Sequence, residues 1–155
     1  MKRSAGIVLY RRTGAGADVG AGVEVLLGHM GGPYWARKEA GAWTIPKGEV
    51  ESGEEALAVA QREFEEEIGV AVPSGALTDL GEIRQRGGKT VQAWAVEGDL
   101  DATTIVSNTF ELEWPPRSGR FQSVPEIDRA AWFDLDSARA VIVQAQRELL
   151  DRLPI

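Results

Sequence analysis

The stretch GEVESGEEALAVAQREFEEEIGV, from Gly48 to Val70, changes the hydropathy pattern of the chain from strand-like to helical. Ser52 is a suitable N-cap, and Glu55 three residues later completes the form of a capping box. Gly69 supplies a stop signal at the other end, because glycine adopts the left-handed conformation in which many helices terminate. The stretch therefore predicts a helix from Gly53 to Gly69.

Three glutamates of this helix, Glu63, Glu66 and Glu67, fall within an arc of about 100°. Beside them runs an apolar stripe that must face the core, made of Leu57, Ala60, Phe64 and Ile68. Like charges at these spacings destabilise a helix, and partial desolvation increases the cost. A hard divalent cation such as Mg²⁺ or Mn²⁺ would relieve the repulsion. A solvated acidic face is the alternative, although Arg62 favours the cation site because a guanidinium can orient a carboxylate.

The composition excludes several classes of site. The 155-residue chain carries a net charge of −7, and residues 49–67, with eight glutamates and one arginine, account for all of it. This acidity argues against a wide nucleic-acid duplex interface. The chain has no cysteine, which excludes disulfides, cysteine-ligated zinc and thiol nucleophiles, and one histidine, His29, which excludes multi-histidine metal sites. The lack of a long apolar run or secretory signal predicts no membrane segment and a cytoplasmic location.

The rest of the chain reads as short strands followed by a final helix. Apolar runs at 4–12 and 22–30 predict two strands joined through the Gly- and Ala-rich segment 13–22. Residues 77–86 and 89–100 predict a hairpin that turns at Gly87–Gly88. Further predictions are loop with a short strand at 101–128, a strand at 130–133 and a broken helix at 136–153. These elements indicate one mixed α/β domain over 1–155, with a largely antiparallel or mixed sheet.

The Gly48–Val70 stretch resembles the signature of the Nudix hydrolases at every fixed position: Gly48, Glu54, Arg62, Glu63, Phe64, Glu66, Glu67, Gly69 and Val70. The resemblance implies an α/β/α sandwich with a central mixed sheet. It also implies hydrolysis of a nucleotide-type diphosphate linkage with Mg²⁺ or Mn²⁺. On this basis Glu63, Glu66 and Glu67 would be metal ligands with the Gly48 carbonyl a further one. Arg62 would orient the glutamates, and Glu54 would support the loop before the helix.

The resemblance leaves the general base open, because in this family it is either a motif glutamate or an acid of a later loop. Glu126 is the first candidate outside the motif, since it precedes the late aromatic segment at Trp132. Glu111 and Glu113 are alternatives. For each of these residues the competing interpretation is a solvated loop acid.

Lys47, directly before the motif, could contact a substrate phosphate, or it could be a surface lysine capping nearby carbonyls. Arg120, with Arg117 beside it, could hold distal phosphates. Tyr34, Trp35 and Arg37 lie on the loop before the motif, where a nucleobase could stack, although loop aromatics pack against strands as often.

Trp94, Trp132 and Phe133 sit in alternating strand patterns and are expected in the core, while His29 is expected to be structural or exposed.

Dinucleoside polyphosphates or nucleoside triphosphates are the expected substrates, and ADP-ribose or another nucleotide sugar is the alternative. A second class is a non-catalytic module that senses a nucleotide. An isomerase of prenyl diphosphates is disfavoured because its common form uses a cysteine, and the chain has none. The expected partner is a small nucleoside di- or polyphosphate, without nucleic-acid duplex or membrane. The resemblance also implies a homodimer, which no apolar stripe in the sequence establishes.

Overall fold

The computed structural model describes residues 2–13 and 22–155. The predicted loop between the first two strands falls almost wholly on residues 14–21, outside the described part. The described residues form nine strands: β1 Arg3–Arg12, β2 Val23–Met30, β3 Trp43–Thr44, β4 Lys47–Glu49, β5 Thr78–Arg84, β6 Thr90–Glu97, β7 Thr109–Glu113, β8 Phe121–Pro125 and β9 Ile127–Asp134. Three helices accompany them: α1 Ala56–Ile68, α2 Leu135–Val141 and α3 Arg147–Asp151.

A mixed sheet of seven strands is built around β1. One edge of β1 pairs in parallel with β6 along its length, and β6 pairs antiparallel with β5. The other edge is shared, because β1 pairs with β4 through Ser4–Gly6 and with β2 through Tyr10–Arg12. Beyond it, β2 pairs antiparallel with both β3 and β9. This split of the β1 edge brings β4 into the middle of the sheet, close to α1.

Helices cover both faces of the sheet, because six consecutive residues of β1 are buried and their side chains alternate between the two faces. Ile7 and Leu9 pack with α1 residues such as Phe64 on one face. Val8 and Tyr10 face the opposite side, where they pack with α2 and α3. The predicted α/β/α sandwich with a central mixed sheet is therefore confirmed. Within the described residues, no helix is long and apolar enough to cross a membrane.

The start of α1 differs from the sequence prediction. Its N-cap is Glu55, with no side-chain capping bond, so the capping box at Ser52 is wrong. Glu54 closes the preceding turn instead, because its carboxylate accepts from the Glu51 N–H at 2.8 Å and from Arg62 Nη1 at 2.6 Å. The end at Gly69 is confirmed, with φ of 94° and its N–H bonded to the Glu65 carbonyl.

The polar section before β9 contains more regular structure than its composition predicts. β7 and β8 form a separate antiparallel hairpin with Thr109 opposite Pro125, where one short strand was expected. The strand predicted at 130–133 extends over the whole of β9. The predicted break in the last helix lies at Ile142–Val143, between α2 and a 3₁₀ turn at Gln144–Gln146.

His29 is structural and fully buried, at 0% exposure. Its Nε2 lies 2.7 Å from the Lys38 carbonyl and its Nδ1 lies 2.9 Å from Asp128 Oδ1. The ring also packs edge-on against Trp43 at 5.1 Å. This histidine therefore fastens the segment before β3 to the start of β9.

Candidate active site

Gly48 and Glu63 line a cleft between β4 and α1. The Glu63 carboxyl group lies directly against the Gly48 Cα, so a Cβ at position 48 would overlap that carboxyl group. Pairing of β4 with β1 fixes Gly48, and packing of Phe64 on the sheet fixes the helix that carries Glu63. The absence of a side chain at position 48 is therefore what lets the carboxylate reach the strand.

Gly48→Ala is expected to push the Glu63 carboxylate out of place and to lower kcat/KM by about 10²-fold, because catalytic groups tolerate little displacement. Mn²⁺ affinity, measured by calorimetry, should fall in parallel. Gly53→Ala is the matched control, since Gly53 has φ of 86° but a Cβ there meets no atom within 4 Å. That control should lose some stability and keep its metal affinity. Equal metal affinity in the two variants would contradict this account of Gly48.

Glu67 lies beside Glu63 and is the more deeply buried, at 5% exposure. Desolvation by burial, strengthened by the negative charge of Glu63, raises the pKa of Glu67 to about 9. Burial also raises the pKa of Glu63, with repulsion from Glu66 as the second cause. Two carboxylates held in this way are unfavourable as anions unless a cation shares the cleft.

Arg62 organises the exposed side of the same helix. Its guanidinium donates to Glu54 at 2.6 Å and lies 3.8 Å from carboxylate oxygens of both Glu63 and Glu66. The hydrogen bonds from Arg62 and from the Glu51 N–H hold the pKa of Glu54 below its ordinary value. Glu66 is paired at the rim by this arginine and does not line the cleft.

Glu126 faces the helix glutamates from the junction of β8 and β9. Its backbone is fixed by two bonds, from Gly31 N–H to its carbonyl and from its own N–H to the Asn108 carbonyl, both 3.0 Å. Asn108 is itself tied to α1, because its N–H donates to the Glu66 carbonyl at 2.7 Å. Burial raises the pKa of Glu126, and the positive charge of Lys47 opposes that rise.

The cleft has a volume of about 340 Å³, and four carboxylates line it: Glu49, Glu63, Glu67 and Glu126. Within the described residues, no three acidic or histidine side chains already converge at metal-ligand spacing. All of these donors are oxygen atoms, and they are too few to surround a metal ion. Such a site fits a hard divalent cation that also binds water and substrate oxygens. Glu63 and Glu67 line the cleft and could hold such a cation, while ligation by the Gly48 carbonyl and by Glu66 stays a prediction.

Three lysines line the same cleft as the acids: Lys2, Lys47 and Lys89. The Lys2 ammonium lies 3.9 Å from a Glu49 carboxylate oxygen. Lys47 was expected from the sequence, and the structure places it near enough to lower the pKa of both Glu67 and Glu126. Sequence reasoning missed Lys2, Lys89 and the neighbouring Gln85, which lie at strand ends far from the motif. Only the pairing of β1 with β6 brings them to the cleft, and no local pattern signals it.

The remaining predicted substrate residues are not brought into the cleft. Tyr34 is 54% exposed and stacks edge-on with Trp35 at 4.8 Å, while the Lys38 ammonium lies 3.6 Å above the Tyr34 ring. Trp35 also packs against the core beside α2 and α3. Nucleobase stacking by these two aromatics, with Arg37 beside them, stays a prediction.

The other predicted polar residues belong to the β7–β8 hairpin. Glu113 accepts from the backbone N–H groups of Arg117 and Gly119, at 3.2 and 3.1 Å, so it holds the turn that carries Arg117 and Arg120. Glu111 sits within β7, opposite Ser123. None of these four charged side chains lines the cleft. Glu111 and Glu113, the alternatives to Glu126 as general base, therefore lie outside the cleft that Glu126 lines. Phosphate binding by Arg120 also stays a prediction.

Comparison with known proteins identifies the family of the chain. The NUDIX domain family matches residues 1–153. An Ap4A hydrolase of C. elegans superposes with a TM-score of 0.63 at 22% identity, covering 98% of this chain and 94% of that one. A MutT protein of Bacillus halodurans gives 0.57 at 15% identity, over 97% and 80% of the chains. The NUDIX domain of Shewanella oneidensis NrtR, complexed with ADP ribose, gives 0.58 at 13% identity, over 97% and 84%. No curated protein matches the sequence significantly.

Proposed function

The chain belongs to the Nudix family, and we propose that it is a pyrophosphohydrolase that cleaves nucleoside polyphosphates in a reaction that depends on Mg²⁺ or Mn²⁺. Dinucleoside polyphosphates and nucleoside triphosphates are the leading substrates. ADP-ribose or another nucleotide sugar is the second candidate, favoured by the fold shared with a NUDIX domain that binds ADP ribose. We retain the cytoplasmic location, the single domain and the homodimer as predictions.

The observation that carries the proposal is the pairing of buried carboxylates with a lysine in one cleft. Burial raises the pKa of both Glu63 and Glu67, and the negative charge of Glu63 raises the pKa of Glu67 further. Lys47 and Glu126 line the same cleft, and the charge of Lys47 opposes the rise in the pKa of both Glu67 and Glu126. Without a cation, burial holds Glu67 in its neutral form at pH 7, whereas a cation–phosphate complex lets the carboxylates ionise and satisfies both signs of charge at once.

The roles of the residues follow from their positions. Glu63, Glu67 and the Gly48 carbonyl bind the cation, with Glu66 held ready at the rim by Arg62. When bound, the cation polarises phosphoryl oxygens and acidifies water. Lys47 binds a non-bridging phosphate oxygen and orients the chain in the cleft. Glu126, with its raised pKa, accepts a proton from the attacking water, which then attacks phosphorus and displaces the phosphate leaving group.

The proposal is tested by product analysis over a substrate panel. The protein, with Mg²⁺ and separately with Mn²⁺, is incubated with dinucleoside polyphosphates, nucleoside triphosphates and ADP-ribose, and products are separated by ion exchange. We expect turnover of at least one member, and incorporation of ¹⁸O from labelled water into one phosphate product. Glu63→Gln prepared in parallel controls for contaminating phosphatases and should be inactive.

Failure to turn over any diphosphate with either metal would overturn the proposal. The non-catalytic sensor would then be favoured if the protein still bound a nucleotide and kept its biological effect in a Glu67→Gln variant that binds no metal. Turnover of ADP-ribose alone would instead support the second candidate.

A further inference from the structure

A second cavity of about 650 Å³ adjoins the catalytic cleft, and the two share Gln85 and Lys89 as lining residues. We name it the outer cavity; its walls are the β5–β6 turn, with Gln85, Arg86 and Lys89, and the segment Val143–Ala145 after α2. A ligand extended along the cleft can therefore pass into the outer cavity beside Lys89.

The charges of the two cavities are segregated. The catalytic cleft combines acids with lysines, whereas the outer cavity is lined by Arg86 and Lys89 and by no acidic residue. Neither Arg86 nor Lys89 forms an ion pair with a carboxylate of the described residues. Two unpaired cations in a concave site attract an anion, and an arginine fork suits phosphate oxygens.

A buried glutamine holds the two walls of the outer cavity in register. Gln146 is fully buried, at 0% exposure, and its Oε1 accepts from the Ile45 N–H at 3.1 Å. Its Nε2 donates to Thr44 Oγ1 at 2.9 Å and to Gln85 Oε1 at 3.2 Å. The Gln85 N–H closes the β5–β6 turn on the Lys89 carbonyl at 2.7 Å. The cationic turn is thus anchored to the core beside the catalytic strands, so less ordering is required when a ligand binds.

We propose that the outer cavity binds the phosphates distal to the cleaved bond, with Arg86 as the residue that selects substrates by the length of their phosphate chain. This inference rests on the proposed function and sharpens it. The acid end of the cleft takes the reacting phosphates with the cation, and Lys89 and Arg86 take the phosphates that follow. A substrate with only two phosphates does not reach Arg86.

The test compares Arg86→Ala with Arg84→Ala, which removes the same charge from an exposed position one residue before Gln85 and lines neither cavity. The kcat/KM values are measured for dinucleoside polyphosphates with two, three, four and five phosphates. We expect kcat/KM of the wild type to increase with the number of phosphates in the substrate. Arg86→Ala should lower kcat/KM by about tenfold or more for the tetraphosphate, which is the effect of losing one charge-assisted contact. For the diphosphate it should lower kcat/KM by less than about twofold. Arg86→Lys should recover part of the loss, and Arg84→Ala should follow the wild type.

A binding measurement separates this inference from the proposed function. Titration of inorganic tripolyphosphate and of pyrophosphate, without divalent cation, requires no turnover. We expect Arg86→Ala to weaken tripolyphosphate binding about tenfold relative to Arg84→Ala and to leave pyrophosphate binding unchanged. An equal loss for every chain length, or none on tripolyphosphate, would overturn the inference. A wild type inactive on all substrates, with the binding difference intact, would overturn the proposed function alone.

Discussion

Glu67→Gln is expected to stabilise the protein in EDTA at pH 8 and to destroy its response to divalent cations. Burial and the charge of Glu63 raise the pKa of Glu67 to about 9, so the isolated carboxylate opposes folding when it ionises. Glutamine has nearly the same shape, carries no charge and can donate to Glu63. The variant therefore removes the repulsion without opening a cavity.

The sign of the pH dependence follows from linkage. A carboxyl group whose folded pKa lies above its unfolded value binds more protons in the folded state between those two values. In EDTA, the free energy of unfolding of the wild type should fall as pH rises from about 4.5 towards 9. Glu67→Gln should flatten that slope and, at pH 8, should gain about 2–4 kcal/mol. The gain corresponds to a rise in Tm of about 5–10 °C, measurable by scanning calorimetry.

Divalent cations should reverse the order of the two proteins. Mg²⁺ or Mn²⁺ should raise the Tm of the wild type, because a ligand that binds only the folded state stabilises it, and should leave Glu67→Gln nearly unchanged. Activity should fall by about 10³-fold in the variant, as loss of several kcal/mol of transition-state stabilisation requires. Glu65→Gln is the matched control, since Glu65 is exposed on the same helix and loses the same charge. A Tm gain in Glu65→Gln as large as in Glu67→Gln would show that the effect is only the net charge of the helix.

The helix and its chemistry could be predicted from the sequence because both are local. Spacing alone placed Glu63 and Glu67 at the edge of the buried stripe, and the structure shows that edge as the wall of the cleft. The predicted start of the helix was wrong because a capping box is recognised from the residues of one short segment and takes no account of contacts from elsewhere. Arg62, two turns into the helix, holds the Glu54 carboxylate outside it, and an N-cap at Ser52 would break that bond.

The lysines that strand ends bring to the cleft could not be predicted, because their positions depend on contacts between distant segments. Lys2 and Lys89 meet only because β1 and β6 pair in parallel, and neither lies in a recognisable pattern. The β7–β8 hairpin was missed for a related reason, since its strands form their own small sheet, lie largely exposed and show no regular alternation. Glu126 became the first candidate for the base through the family resemblance, which concerns the order of elements as well as the motif.

Glu126→Gln is expected to lower kcat by about 10²–10³-fold at neutral pH, the range for loss of a general base. The carboxylate must be ionised to accept a proton from water. Burial raises its pKa, so activity of the wild type should fall as pH drops through that value. Glutamine neither titrates nor accepts the proton. In Glu126→Gln, kcat should therefore be low at every pH, and it should no longer fall as pH drops through the acidic range.

The distinguishing measurement is the pH profile of kcat at saturating metal, with Mn²⁺ affinity determined for each variant. If Glu126 acts on the water, Glu126→Gln should bind Mn²⁺ within a few fold of the wild type and turn over slowly at every pH. If it were chiefly a metal ligand, excess Mn²⁺ should restore much of the rate, and the acidic limb would persist. Glu111→Gln and Glu113→Gln remove the same charge from the β7–β8 hairpin and should keep both the rate and the limb. Loss of the limb in either of them would transfer the role of base from Glu126 to the hairpin, and a flexing of that hairpin towards the cleft would then have to be part of the reaction.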